Sequence, residues 1–280
     1  MKPLIPVILF STFLCAPSLC SEESGKGPLS WSHLPALPDE EGFAGAFAGI
    51  VTNKDTGKDY LVVAGGANFP KGRPWEKEKN PEKVYYDLAF KLEMGAEDAS
   101  WEKIEGPLGE RLGYGMSVTL PKRGSTLFIG GKEEAATDAV WEVTADQSGK
   151  LTFAPRLKYP LPIVEGVAGV VGETVIVVGG ATNREGGGFR TVQEAYMLDT
   201  SKGDGEWKWE PLPWPEAGKD EMARGRVYAV AGVRADLFYM FGGRDYAGSA
   251  DPAPGRVHQE KLDILFDCYA LGLKGGVRKS

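Results

Sequence analysis

Six side chains in this 280-residue sequence combine a reactive type with a telling position. Asn68 follows a glycine pair at Gly65-Gly66, and Arg244 directly follows another at Gly242-Gly243. Arg111 and Arg226 stand just ahead of strands rich in small residues, and we expect them at corresponding places in their units. An arginine fork meets a carboxylate with two parallel hydrogen bonds, and an asparagine amide both donates and accepts, so these four are the candidate ligand contacts. Glu133 and Glu165 are candidate acid/base groups, a role that requires burial close to the ligand; on the surface they would be ordinary solvated carboxylates. Metal chemistry has less to work with: His33 and His258 are far apart, and the cysteines are only Cys15, Cys20 and Cys268. A zinc or copper site of nitrogen and sulfur ligands is not expected, nor is any cofactor. The run Arg184-Glu-Gly-Gly-Gly188 lacks the Lys-Ser/Thr and helix of a phosphate loop and reads as a turn.

These residues need a frame, and composition narrows it. With 32 basic and 39 acidic residues the net charge is −7, which argues against a nucleic-acid binder. The 38 glycines and 19 prolines form no collagen-like repeat and read as turn punctuation. Residues 1–20 have the form of a secretory signal: Lys2, an apolar run from Leu4 to Leu14, and small residues near Cys20. The run is too short to span a membrane, so a secreted or periplasmic protein beginning near Ser21 is expected, without membrane attachment. Cys268 would then stand alone, and the fold must be held by its core.

The glycine pairs belong to a repeat. Apolar strands end in Gly65-Gly66, Gly130-Gly131, Gly179-Gly180 and Gly242-Gly243. Before each lies a small-residue strand (Phe43–Gly49, Gly113–Val118, Gly166–Val171, Val227–Gly232), and after each a strand with an aromatic at matching depth (Phe90, Trp141, Tyr196, Tyr269). A fourth strand follows at Trp101–Ile104, Phe153–Pro155 and Trp209–Pro213, with Trp101 and Trp209 expected in the core. Four short antiparallel strands per unit, repeated, predict an all-β fold, a β-propeller with four recognisable blades at about 42–108, 113–162, 166–215 and 226–280. A β-sandwich would not require the same four-part order four times. We expect one domain over 21–280.

The strand-terminal glycine pair followed by an aromatic and a Trp resembles the kelch-repeat propellers. More closely, Gly42–Ile50, Val63–Phe69, Arg111–Val118 and Phe128–Gly131 resemble the N-acetylneuraminate epimerase family, in its circularly permuted branch, over about residues 42–135. That resemblance implies six blades, no cofactor, a small sugar as partner, and interconversion of the α and β anomers of N-acetylneuraminic acid. It also implies a catalytic Glu and a supporting Arg in a Gly-Glu-x-x-x-Gly-x-Arg-Thr segment. Gly109-Glu110-Arg111, Gly172-Glu173-Thr174 and Gly188-Phe189-Arg190-Thr191 match only parts of it, so no catalytic residue carries over. The alternative function is a non-enzymatic kelch module binding glycan or protein. The step from Phe90 to Trp101, applied to Tyr269, reaches Ser280, so blade 4 is expected to stop before its outer strand. Either residues 31–38 supply that strand and close the ring, or the blades form an open arc. The sequence does not set the oligomeric state.

Overall fold

The computed structural model describes residues 32–218, 221–246 and 263–273. Chain contacts divide it at Leu34; every described strand lies from Pro35 onward. Blade 1 is Phe47–Thr52, Asp59–Ala64, Leu88–Glu93 and Glu102–Glu105. Blade 2 is Met116–Leu120, Ser125–Ile129, Val140–Ala145 and Leu151–Pro155. Blade 3 is Val167–Val171, Thr174–Val178, Ala195–Asp199 and Trp209–Leu212. Blade 4 has three strands among the described residues: Val230–Arg234, Leu237–Phe241 and Cys268–Gly272. Every neighbouring pair is antiparallel in simple meander order.

The inner strands of blades 1, 2 and 4 begin three or four residues later than the small-residue runs predict, and that of blade 3 one residue later, because the residues ahead of each strand serve another purpose. The residue two before the strand adopts positive φ in every blade: Gly45, Tyr114, Glu165 and Tyr228. Their backbones are chained across the blades. Tyr114 N–H donates to Gly45 C=O at 2.7 Å, Glu165 N–H to Tyr114 C=O at 2.8 Å, and Tyr228 N–H to Glu165 C=O at 3.1 Å. A second set runs from the glycine pairs to the next blade: Gly66, Gly131 and Gly180 N–H donate to Leu112, Ile163 and Arg226 C=O. A Cβ on Gly65 or Gly130 would overlap the Leu112 or Ile163 carbonyl oxygen, and both have positive φ. Glycine is therefore required by the joint between blades.

Apolar side chains fill each joint. Phe47, Val62, Ala64, Phe128 and Trp141 lie in the cluster between blades 1 and 2, with Phe47 stacked on Phe128 at 4.9 Å between ring centroids. Met116, Ile129, Val175, Val177 and Trp209 lie between blades 2 and 3, and Val167, Ile176, Val178, Phe238 and Met240 between blades 3 and 4. Fully burying one such side chain contributes about 1.5–3 kcal/mol. Trp209 is thus in the core, whereas Trp101 is half-buried at the outer edge of blade 1. Within the second joint the Glu142 carboxylate is buried and accepts from Ser125 Oγ (2.6 Å), Arg123 Nε (3.0 Å) and Arg156 Nε (2.8 Å).

Inner strands pack in order from blade 1 to blade 4, and those of blades 1 and 4 make no comparable contact with each other. Among the described residues the arrangement is an open arc. Of the expected closing strand, Trp31 lies outside the described residues, and 32–38 form no strand. The Pro35 carbonyl accepts Trp101 Nε1–H at 2.8 Å, on blade 1 rather than blade 4. Pro35 and Pro38 have no N–H to give a ladder, which weakens this stretch as an outer strand. Residues 274–280, over which blade 4 is expected to stop before reaching its outer strand, also lie outside the described residues.

Candidate functional site

The positive-φ residues and the segments following the glycine pairs come together on one side of the arc. After the pairs the chain continues into short ribbons: Ala67–Asn68 with Val84–Tyr85, Ala181–Asn183 with Phe189–Thr191, and Arg244–Asp245 with Asp263–Ile264. In blade 2 the corresponding residue, Lys132, bridges Gly113 and Ala136.

There Lys132 Nζ lies 2.7 Å from Glu165 Oε1, and Tyr246 Oη donates to Glu165 Oε2 at 2.8 Å. The Glu165 side chain is 2% exposed and that of Lys132 14%. The ammonium also sits 4.3 Å from the Phe189 ring centroid and 5.4 Å from that of Tyr114. Tyr228 Oη is 3.5 Å from Tyr246 Oη. Burial, reinforced by the Glu165 charge, pushes the Tyr246 and Tyr228 phenols well above the ordinary tyrosine range, so both stay protonated. Beside them Lys83 Nζ meets Tyr114 Oη at 2.7 Å and lies 5.1 Å from the Tyr85 ring centroid. The cluster therefore holds one carboxylate, two ammonium groups and four phenols drawn from all four blades.

The sequence-predicted contacts fare differently. Arg244 is exposed on the ribbon that carries Tyr246, with its backbone bridged to Val227. Arg111 is exposed and paired with Glu133 at 2.7 Å, so two candidates neutralise each other at the rim. Asn68 is buried and internally satisfied: its Nδ2 donates to Gly42 C=O at 3.0 Å and Oδ1 accepts from Tyr86 Oη at 2.7 Å. Arg226 is fully buried and forks onto Asp267, with Nη1 and Nη2 at 2.7 and 3.0 Å, and Nη1 also donates to Gly242 C=O. It does not correspond to Arg111. By the glycine-pair bonds its carbonyl occupies the place of Leu112 and Ile163, so the side chain points into the joint. Glu165 is the acid/base candidate that is buried in the cluster. Lys132 and Tyr246 were missed, although Lys132 follows its glycine pair as Arg244 follows its own. A cavity of about 240 Å³ lined by Thr174, Met197, Asp199 and Lys202 contains none of these residues. Among the described residues no cluster of His, Cys, Asp or Glu could hold a metal ion.

Repeated four-stranded blades joined by paired glycines define a kelch-type β-propeller. No family model matches the chain. It is similar to named N-acetylneuraminate epimerases. The chain is 31% identical over 150 residues to N-acetylneuraminate epimerase 1 of Escherichia coli O6:H1, covering 48% of this chain and 37% of the relative. It is 31% identical over 134 residues to that of Haemophilus influenzae (42% and 32%), and 34% over 139 residues to that of Yersinia pestis (44% and 31%). The matches span about a third of the length of these curated relatives. The solved structure of YjhT superimposes with a TM-score of 0.56 at 17% identity, over 86% of this chain and 70% of that one, which supports the propeller fold. The chain is thus similar, over somewhat less than half its length, to proteins named N-acetylneuraminate epimerases.

Proposed function

We propose that the axial cluster binds N-acetylneuraminic acid or a related sugar acid and interconverts its anomers. The observation that carries this reading is the Glu165 carboxylate, buried between Lys132 and Tyr246. Glu165 takes the proton of the anomeric hydroxyl as the bond from the anomeric carbon to the ring oxygen breaks. The Lys132 ammonium gives a proton to that ring oxygen, producing the open-chain ketone. Reclosure on the other face of the carbonyl returns both protons, so no other reactant is needed. Arg244, exposed beside Tyr246, supplies the fork for the sugar's carboxylate. Substrate entry requires Tyr246 Oη to leave Glu165 Oε2.

The test is NMR of freshly dissolved N-acetylneuraminic acid, following the anomer ratio with and without protein. Acceleration by the intact chain, lowered at least ~100-fold in Glu165→Gln, is the expected result. No acceleration by a chain shown to be folded by circular dichroism refutes the enzymatic reading. A second reading, a non-enzymatic kelch module binding glycan or protein, is favoured by one observation: both Glu165 oxygens already have partners. It predicts sugar-induced shifts of the ribbon resonances without anomer exchange. The proposal includes export with removal of residues 1–20; N-terminal sequencing of protein from the medium or periplasm should begin near Ser21, and a soluble cytoplasmic protein beginning at Met1 would refute it.

A further inference from the structure

Three joints between blades are built alike, and the two ends of the arc carry the matching halves of a fourth. At each joint the face leaving one blade is made by the residue two after the positive-φ position and its ladder partner: Phe47 with Ala64, Met116 with Ile129, Val167 with Val178. All six are at most 8% exposed. In blade 4 the corresponding pair, Val230 with Phe241, is 65% and 43% exposed. The face entering a joint shows the same contrast. Phe128, Val177 and Met240 are buried, whereas their counterpart Val63 is half-buried, and Ala48 at the start of that face is exposed.

The backbone ends are complementary as well. Inside the arc each joint uses a glycine N–H onto a carbonyl of the next blade, and an N–H of the next positive-φ residue onto the carbonyl of the previous one. Among the described residues, Gly243 N–H and Tyr228 C=O at the blade 4 end have no backbone partner, nor do Phe43 C=O and Gly45 N–H at the blade 1 end. By the internal pattern, Gly243 N–H belongs on a Phe43 carbonyl, and a Gly45 N–H on the Tyr228 carbonyl. One copy does not bring its own ends together.

We infer that a second copy of this chain covers both ends, head to tail, forming a two-fold ring of eight blades with two blade 4–blade 1 joints. Eight blades is within the range propellers adopt, and a head-to-tail contact that closes after two copies leaves no sheet face open. The inference is independent of what the axial cluster binds.

Light scattering and sedimentation of residues 21–280, from micromolar to hundred-micromolar, test it. The expected mass is twice that of the monomer. Val230→Arg blocks one end and Ala48→Arg the other, both at exposed positions, so each variant alone should run as a folded monomer. A 1:1 mixture should recover association, because Val230 of one variant can still meet Ala48 of the other. A monomeric wild type at every concentration overturns the inference, and would be expected if further blades of a longer polypeptide cover these faces. Retention of the dimer by Ala48→Arg would mean that two blade 4 faces meet, and an open-ended polymer would mean that the ring does not close; either refutes it.

Discussion

Replacing Lys132 by Met tests how tightly the axial cluster is closed. The substitution keeps a flexible apolar stem against Phe189 and removes only the ammonium. Glu165 is then left 2% exposed with neutral phenols, Tyr246 Oη at 2.8 Å foremost, in place of a cation. Stranding one partner of a buried ion pair costs about 3–5 kcal/mol, and the lost contact with the Phe189 face adds about 0.5–1. For a chain of this size that corresponds to a fall in Tm of ~10 °C. Urea unfolding followed by tryptophan fluorescence is the assay, since Trp207, Trp209 and Trp214 are all buried. The added substitution Glu165→Gln removes the stranded charge, so the double variant should lose only about 1–2 kcal/mol relative to wild type, less than Lys132→Met alone. If Lys132→Met costs under about 1 kcal/mol, the carboxylate is reached by water and the cluster is not the closed site described above.

Three further outcomes follow from the joints. Gly130→Ala should cost more than about 2 kcal/mol, because its Cβ meets the Ile163 carbonyl, whereas Gly172→Ala, with positive φ but open space, should cost only about 1–2; paired urea titrations distinguish them. Burial pushes the Glu142 carboxyl up, but Arg123, Ser125 and Arg156 outweigh this and hold it below the usual range. Its contribution is therefore present above the unfolded carboxylate pKa of about 4.3 and lost as pH falls through the lower folded value. The stability gap between wild type and Glu142→Gln should narrow below about pH 4 in acid titrations followed by circular dichroism. Arg226→Lys should fail to restore the stability lost in Arg226→Met, by at least about 1 kcal/mol in urea, because an ammonium cannot hold both Asp267 oxygens and the Gly242 carbonyl at once.

The blades were legible because their markers are local: a glycine pair, an apolar strand before it and an aromatic after it read directly from the chain. Strand starts were less so, since the small residues ahead of Phe47 or Val230 are spent on bonds to neighbouring blades, which no single segment reveals. The site was legible only in part. Glu165 was singled out, yet its burial depends on Lys132 and on Tyr246, 81 residues away. Arg226 misled for a related reason: its partner Asp267 is 41 residues on, and an arginine ahead of an inner strand looks alike whether it faces the mouth or the joint. Aligning blades 3 and 4 on their glycine pairs places Arg226 with Ile163, an apolar position, and that comparison was available from sequence; the match with Leu112 is not, because the hairpin of blade 2 is two residues longer.

The chain of hydrogen bonds through Gly45, Tyr114, Glu165 and Tyr228 has an evolutionary consequence. The frame asks only for a backbone that can take positive φ at these positions, and glycine meets that demand with the least strain. Three of the four instead carry large polar side chains at a cost of about 1–2 kcal/mol each. Because the backbone bonds between blades at these positions do not depend on which side chain is carried, each can be exchanged singly without removing those bonds. Selection can thus retune the chemistry of the mouth one blade at a time, and the residues that resist replacement by glycine mark where ligand binding, rather than folding, sets the choice.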